Sequence, residues 1–195
     1  MASRLILIGG GARSGKSAFA LSYARALGAQ RVFVATAQAY DDEMRARIDR
    51  HRDERGPDFT TIEEPVALAR AITEAPRRAV VLVDCLTLWL SNRLCADASP
   101  ETIHGELEEV VRAAVSRAAP TLVVSNEVGM GVVPDNALAR AFRDLTGHAH
   151  QRLAAAADEI YAALMGVVLR LHPGPLEMAR WPFEPGVASP PTVLA

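Results

Sequence analysis

The sequence predicts a single α/β domain in which helices flank a mostly parallel β-sheet. Short β-rich runs alternate with helical stretches along the chain, as in a sheet built from strand–helix–strand units. The run 79–83 is continuously apolar, which is typical of a strand buried on both faces. The length of 195 residues suits one domain with its own hydrophobic core.

The predicted elements follow one another in a regular order. Strands are expected at about 4–8, 31–35, 59–63, 79–83, 121–125 and 166–171. Helices are expected to begin near Gly15, Asp41, Pro65, Leu86, Pro100 and Pro134. Three of these starts carry a proline, which the first turn of a helix tolerates because its N–H has no partner within the helix.

The chain changes character after residue 172. Six of the twelve prolines fall in the last 23 residues, and these residues show little periodicity. We therefore predict one domain over 1–172, followed by an irregular proline-rich tail over 173–195.

Composition narrows the possible functions. With 21 basic and 23 acidic residues, the net charge of -2 argues against a nucleic-acid partner, which would favour a basic surface. Two cysteines, Cys85 and Cys95, are too few for the disulfide framework of a secreted protein. The apolar run 5–8 is too short for a signal peptide, and no stretch approaches the roughly 20 apolar residues of a membrane span. The expected protein is soluble and cytoplasmic.

A phosphate-binding loop follows the first predicted strand. The sequence GGARSGKS at 10–17 matches the pattern G-x-x-x-x-G-K-[ST], with an apolar strand before it and a helix after it. Its glycines let consecutive N–H groups face a phosphate, and the helix N-terminus adds the positive end of its dipole. The candidate triphosphate-binding residues are Gly10, Gly11, Ala12, Arg13, Ser14, Gly15, Lys16 and Ser17.

Lys16 is the only lysine in a chain that has 20 arginines. A compact ammonium on a flexible stem suits a phosphate cradle, where it would bridge the β- and γ-phosphates. The alternative is a general bias toward arginine that left one lysine by chance.

The same loop predicts a magnesium site, with the Ser17 hydroxyl as one ligand. Asp84 ends the apolar run 79–83, so it is expected at the carboxyl edge of the sheet, where open α/β sheets bind ligands. It is the second candidate metal ligand. Asp84 could also cap the helix that follows it, and the two roles are compatible.

An arginine-rich segment follows the second predicted strand. Acidic residues at 41–43 suit the positive end of a helix, and Met44 and Ile48 form a thin apolar stripe. The segment places His51 among four arginines that could hold a triphosphate while its α-phosphorus is attacked: Arg47, Arg50, Arg52 and Arg55. Spacing alone favours the alternative, a charged surface helix whose histidine is incidental.

Four motifs together resemble the bifunctional adenosylcobinamide kinase/adenosylcobinamide-phosphate guanylyltransferase family of cobalamin biosynthesis. They are the loop at 10–17, the segment 47–55, the string VDCLTLWLSN at 83–92 and the string SNEVGMGVVP at 125–134. Their order and spacing fit from about residue 5 to residue 171. His150 departs from the pattern, since asparagine is expected there, and the proline-rich tail lies outside it.

The resemblance implies a fold from the recombinase-like branch of P-loop proteins and a homo-oligomer, with a trimer favoured. It implies a corrinoid substrate, adenosylcobinamide, with GTP, Mg²⁺ and either ATP or GTP as phosphoryl donor. It implies that His51 becomes guanylylated. The residues implied to contact the guanine nucleotide are Ala35, Thr36, Ala37, Arg52, Asp53, Glu54 and Arg55, with Glu63 and Asp84 completing the site.

Two other functions stay open from the residues alone. A P-loop kinase of another small metabolite would leave His51 inert, and a GTP-dependent switch module would not consume cobinamide. The segment 126–134 follows a strand, so we expect it to project toward the nucleotide and to contact the corrinoid. Gly129 and Gly131 would permit close approach there, or they would merely turn the chain.

Overall fold

The structure is a computed structural model that describes residues 3–39 and 41–178. Its strands are β1 (Leu5–Gly10), β2 (Arg31–Ala35), β3 (Thr60–Glu63), β4 (Val80–Asp84), β5 (Thr121–Asn126), β6 (Glu159–Leu164), β7 (Val167–His172) and β8 (Glu177–Met178). Its helices are α1 (Lys16–Leu27), α2 (Asp42–Arg55), α3 (Leu68–Glu74), α4 (Leu86–Cys95), α5 (Pro100–Val115) and α6 (Ala137–Ala156).

The strands form one sheet in the order β3-β2-β4-β5-β1-β6-β7-β8. The strands β1 to β6 are parallel, and β7 and β8 extend the edge in antiparallel fashion. Along β1, Leu5 and Leu7 face a core formed with α3, α4, α5 and α6, whereas Ile6 and Ile8 face a core formed with α1. This alternation is the period of two expected of a strand covered on both faces. The predicted fold class is therefore confirmed.

Strand β6 is absent from the sequence prediction, which placed only β7 after the last helix. It pairs in parallel with β1, with Ile6 opposite Glu159. The buried positions of β6 include Glu159, where an alternating strand would be expected to carry an apolar residue. The sequence of β6 therefore lacks the apolar alternation that predicts a strand. The hydroxyls of Tyr23 and Tyr161 donate to this carboxylate at 2.6 and 2.7 Å, and Arg4 pairs with it at 2.7 Å. These partners satisfy the buried charge.

Two predicted helix starts are wrong, those at Pro65 and Pro134. Helix α3 begins at Leu68, because the Glu64 carboxylate accepts the backbone N–H groups of a preceding turn. Helix α6 begins at Ala137, because the Asn136 side chain caps it by accepting the N–H of Ala139 at 2.8 Å. The other four predicted starts agree with the structure: Gly15, Asp41, Leu86 and Pro100.

The first residues of the predicted tail are attached to the sheet. Strand β8 pairs with β7, and the buried Glu177 forms an ion pair with the partly buried Arg170. The irregular structure expected of the tail is therefore wrong for Glu177–Met178. Residues 179–195 lie outside the described part of the chain, and the boundary at 172 stays a prediction. Within the described residues, no helix has the length and apolar character to cross a membrane.

Candidate active site

A cavity of about 650 Å³ lies at the carboxyl ends of the parallel strands. Its walls come from the start of α1, the ends of β2, β3, β4 and β5, and one face of α2. This is the edge where an open α/β sheet binds ligands. The predicted site residues that line it are Lys16, Ser17, Ala35, Ala37, His51, Arg52, Arg55, Glu63 and Asp84.

The loop between β1 and α1 is shaped by its glycines and by the neighbouring strands. An ideal Cβ on Gly10 would lie 2.5 Å from the carbonyl oxygen of Ala163 in β6. Gly15, at the N-cap of α1, has a left-handed φ of 94° that favours glycine. The N–H of Gly166, in the β6–β7 turn, donates to the carbonyl oxygen of Ser14 at 3.2 Å. Strand β6 and its turn therefore fix the curl of the loop.

Replacing Gly10 with Ala is expected to lower the free energy of unfolding by about 1–3 kcal/mol, because the new methyl group would collide with the Ala163 carbonyl. Urea unfolding of the purified variant measures this loss. Gly11→Ala is the matched control, since a Cβ there would meet nothing within 4 Å. Its loss should stay below about 0.5 kcal/mol. Equal losses in the two variants would contradict the close approach of β1 and β6.

Lys16 lies in the first turn of α1 and is only 6% exposed. Its Nζ donates to the carbonyl oxygen of Gly11 at 3.1 Å, so the ammonium lies over the phosphate-binding loop.

The nearby thiol of Cys85 is not a competing nucleophile. Burial, with a smaller contribution from the Asp84 carboxylate, raises the pKa of Cys85 to about 11, so the thiol stays protonated near neutral pH.

Asp84 ends β4 and faces the cavity. The N-cap position of α4 belongs to Cys85, and no side chain caps that helix, so the structure does not support a capping role for Asp84. The Asp84 side chain is 16% exposed, and its Oδ2 lies 4.0 Å from Nδ1 of His51. The sheet thus brings together three predicted site residues, Lys16, His51 and Asp84, on the walls of one cavity.

Ser17 and Asp84 supply oxygen donors to the cavity, which is the chemistry that Mg²⁺ prefers. In the part of the chain that the structure describes, no group of three or more His, Cys, Asp or Glu side chains could hold a metal ion.

Helix α2 presents one face to the cavity. The Asp41 side chain caps it by accepting the N–H of Met44 at 2.7 Å. Arg55 is 5% exposed, and its guanidinium lies 4.2 Å from the centre of the Phe33 ring. Burial, and then the neighbouring Arg52 charge, lower the pKa of Arg55. Arg52 pairs with Glu63 at 3.2 Å, so both arginines are held at the cavity wall.

Several predicted residues lie away from the cavity lining. Thr36 is fully buried, and its hydroxyl donates to the Cys85 carbonyl at 2.7 Å and accepts the Cys85 N–H at 2.9 Å. Asp53 and Glu54 are exposed and do not line the cavity. The side chain of Arg47 lies outside the described part of the chain.

Other residues line the cavity without having been predicted, among them Phe33, Gln38, Arg45 and Leu88. Phe33 could have been found, because the period of two along β2 places it on the same face as Ala35. Gln38 and Arg45 have no such signal, since a loop and a charged helix surface carry no periodic constraint.

The sequence of the domain matches a known enzyme family. A profile of the cobinamide kinase/cobinamide phosphate guanyltransferase family matches residues 6–171. The chain belongs to this family. The bifunctional adenosylcobalamin biosynthesis protein CobP of Pseudomonas aeruginosa is 42% identical over 171 residues, covering 87% of this chain and 98% of that protein. The corresponding protein CobU of Salmonella typhimurium is 40% identical over 184 residues, covering 86% and 99%.

Solved structures share the fold at low sequence identity. The RadB recombinase has a TM-score of 0.53 and 16% identity, covering 94% of this chain and 84% of that one. A solved ATPase domain has a TM-score of 0.53 and 14% identity, covering 91% and 80%. These likenesses confirm the recombinase-like P-loop fold.

The family membership confirms the resemblance found in the motifs and makes the chain a bifunctional kinase and guanylyltransferase of cobalamin biosynthesis.

Proposed function

We propose that this one cavity performs both reactions. In the first, ATP or GTP phosphorylates the hydroxyl group of adenosylcobinamide. In the second, GMP is transferred from GTP to adenosylcobinamide phosphate, giving adenosylcobinamide-GDP and pyrophosphate. The observation that carries this proposal is that Lys16 of the phosphate loop and His51 of α2 line the same cavity. A triphosphate bound there could therefore either donate its γ-phosphoryl group or be attacked at its α-phosphorus by His51.

The kinase reaction needs positioning and charge more than covalent chemistry from the protein. The loop 10–17 binds the triphosphate through its N–H groups, and the Lys16 ammonium stabilises the charge that develops on the transferred phosphoryl group. Ser17 and Asp84 would hold Mg²⁺, which supplies further neutralisation of the phosphates when it is bound. The corrinoid hydroxyl then attacks the γ-phosphorus in line, so that a new O–P bond forms, the bond to the β-phosphate oxygen breaks, and the nucleoside diphosphate and the hydroxyl proton leave.

The transferase reaction uses His51 as nucleophile. A neutral ring nitrogen attacks the α-phosphorus of GTP, so that a P–N bond forms and the P–O bond to pyrophosphate breaks. The Asp84 carboxylate, 4.0 Å from Nδ1, would attract the Nδ1 proton and so leave Nε2 as the attacking atom. The phosphate of adenosylcobinamide phosphate then attacks the guanylyl group and releases free His51.

The remaining predicted contacts divide into two groups. We propose that Ala35, Ala37, Arg52, Arg55 and Glu63 contact the guanine nucleotide directly, because they line the cavity. Thr36 would act through its bonds to Cys85, which join β2 to the end of β4. Contacts from Asp53 and Glu54 would require α2 to move. Such a movement would have to break the stacking of Arg55 on Phe33.

The corrinoid is proposed to bind along residues 126–134, the corrinoid loop. It begins at Asn126, the last residue of β5, which lines the cavity. The side chains of three apolar residues in this loop are largely exposed: Met130 by 83%, Val132 by 95% and Val133 by 65%. A cluster of exposed apolar side chains is typical of a binding surface. A large macrocycle with apolar edges would cover them.

Replacing Gly131 with Val is expected to raise the KM for adenosylcobinamide roughly tenfold, the effect of one clash of about 1.4 kcal/mol. The free protein should keep its fold, because a Cβ at Gly131 would meet nothing within 4 Å. Steady-state kinetics at saturating nucleotide, with GTP affinity from calorimetry, makes the comparison. If GTP affinity falls in parallel with corrinoid use, the loop is structural and the corrinoid binds elsewhere.

The proposed function includes an oligomeric assembly. We propose a homo-oligomer, with a trimer favoured by the family resemblance. Exposed apolar residues at the β6–β7 turn, Leu164, Met165 and Val167, support a contact surface. Light scattering during size-exclusion chromatography should give three times the chain mass of 20.9 kDa.

We propose a cytoplasmic location, because two free cysteines suit a reducing compartment.

Product analysis tests the function as a whole. The protein, Mg²⁺, GTP and adenosylcobinamide should yield adenosylcobinamide phosphate first and adenosylcobinamide-GDP later. Phosphate transfer to some other metabolite, with cobinamide unchanged, would favour the kinase alternative. Slow GTP hydrolysis without any acceptor product would favour the switch module.

A further inference from the structure

A chain of three side chains lies beneath the corrinoid loop. Ser125 of β5 is fully buried, and its Oγ lies 2.7 Å from Nε2 of His150 on α6. Nδ1 of the same ring lies 3.6 Å from Oε2 of Glu127. The other carboxylate oxygen of Glu127 accepts the N–H of Gly129. One histidine therefore joins the end of a core strand to the beginning of the corrinoid loop.

Gly129 is the point at which this part of the loop is held. Glu127 accepts its N–H, and Arg143 of α6 donates to its carbonyl oxygen at 2.8 Å. The N–H of Glu127 itself donates to the carbonyl oxygen of Gly10 at 3.0 Å, beside the phosphate loop. The position of the Glu127 carboxylate thus decides whether one of the two Gly129 bonds is kept.

The neutral imidazole of His150 fits this arrangement in one tautomer. A proton on Nδ1 faces the Glu127 carboxylate, where a lone pair would be repelled, and the Ser125 hydroxyl then donates to Nε2. Burial lowers the pKa of His150, and the Glu127 charge opposes this in part. The ring is therefore neutral near pH 7 and becomes charged only in mild acid.

Titratable and charged groups on the elements packed against α6 face groups other than His150. Arg93 of α4 pairs with Glu106 of α5 at 2.7 Å. Glu108 of α5 pairs with Arg152 of α6, and His104 of α5 lies against the exposed His148, with ring centres 5.7 Å apart. Glu127 is the one charged group that faces the His150 ring among these described contacts.

We propose that His150 is a pH-dependent positioning residue for the corrinoid loop. The neutral ring leaves the Glu127 carboxylate on the Gly129 N–H, whereas the charged ring draws this carboxylate toward Nδ1 and lengthens its bond to the Gly129 N–H. The shift needed is small, since Glu127 and His150 are already 3.6 Å apart. The effect on corrinoid use rests on the proposed function, but the effect on the loop does not.

Amide hydrogen exchange of the full chain tests the loop directly. Between about pH 7.5 and pH 5, the protection factor of the Gly129 N–H, corrected for the intrinsic exchange rate, should fall at least about threefold in the wild type. His150→Gln, which cannot become charged, should lose this pH dependence. Glu127→Gln should lose it too, because its amide oxygen still accepts the Gly129 N–H but forms no ion pair. His148→Gln, two positions earlier on α6, should behave as the wild type.

Kinetics then connects the loop to the substrate. At saturating nucleotide, the KM for adenosylcobinamide should rise by a similar factor over the same pH range in the wild type and in His148→Gln, but in neither His150→Gln nor Glu127→Gln. The KM for the nucleotide should not follow it. A fall in Gly129 protection that persists in both His150→Gln and Glu127→Gln, or no fall in the wild type, would overturn the inference. Loss of protection without any use of cobinamide would uphold the inference and contradict the proposed function.

Discussion

Replacing Lys16 with Ala should weaken GTP binding about a hundredfold or more while leaving the fold intact. The variant removes the only lysine of the chain, whose ammonium lies over the phosphate loop and would bind the triphosphate through charge-assisted hydrogen bonds. Calorimetric titration with GTP measures the affinity, and circular dichroism with thermal unfolding checks the fold.

Arg78→Ala is the control for the loss of one positive charge. Arg78 is exposed and precedes β4, at the end of the sheet opposite the cavity. Its removal should change GTP affinity less than about twofold, because exposed charges far from a site are screened by solvent and salt. Unchanged GTP affinity in Lys16→Ala would rule out this assignment of the phosphate site.

Replacing His51 with Ala should lower guanylyl transfer at least about a thousandfold, because the nucleophile itself is removed. Phosphorylation of adenosylcobinamide should persist, since Lys16 and Asp84 remain in place. Separate assays measure adenosylcobinamide phosphate and adenosylcobinamide-GDP. All five histidines lie in the described part of the chain, and His51 alone among them lines the cavity.

His148→Ala is the matched control for this experiment, because His148 is exposed on α6 and lines a different, smaller cavity. It should retain both activities. Equal loss of the kinase and transferase activities in His51→Ala would mean that the histidine supports the fold or the nucleotide site and is not the nucleophile.

The parts of the fold that sequence predicts well are those with local signals. The apolar runs of β1, β2, β4 and β5 and the glycine-rich loop each carry their own pattern, so the sheet and the phosphate site could be placed in advance. Strand β6 could not, because Glu159 interrupts its alternation. That carboxylate is made tolerable by Tyr23, which lies 136 positions away in the sequence.

The candidate site shows the same division. The sequence identifies His51 and the arginines around it, but spacing alone does not separate a surface helix from a cavity wall. Arg55 is buried by stacking on Phe33, a contact between α2 and β2 that no local pattern encodes. The link from Ser125 through His150 to Glu127 likewise depends on the packing of α6 against the sheet. Such contacts appear only when the elements are assembled.

We propose that one chain both binds a triphosphate at Lys16 and takes GMP onto His51. Incubation of the wild-type protein and His51→Ala with Mg²⁺ and GTP labelled at the α-phosphate tests it most directly. We expect acid-labile label on the wild-type chain, as for a phosphoramidate, and none on His51→Ala. Label retained by His51→Ala, or no label on the wild type, would contradict it.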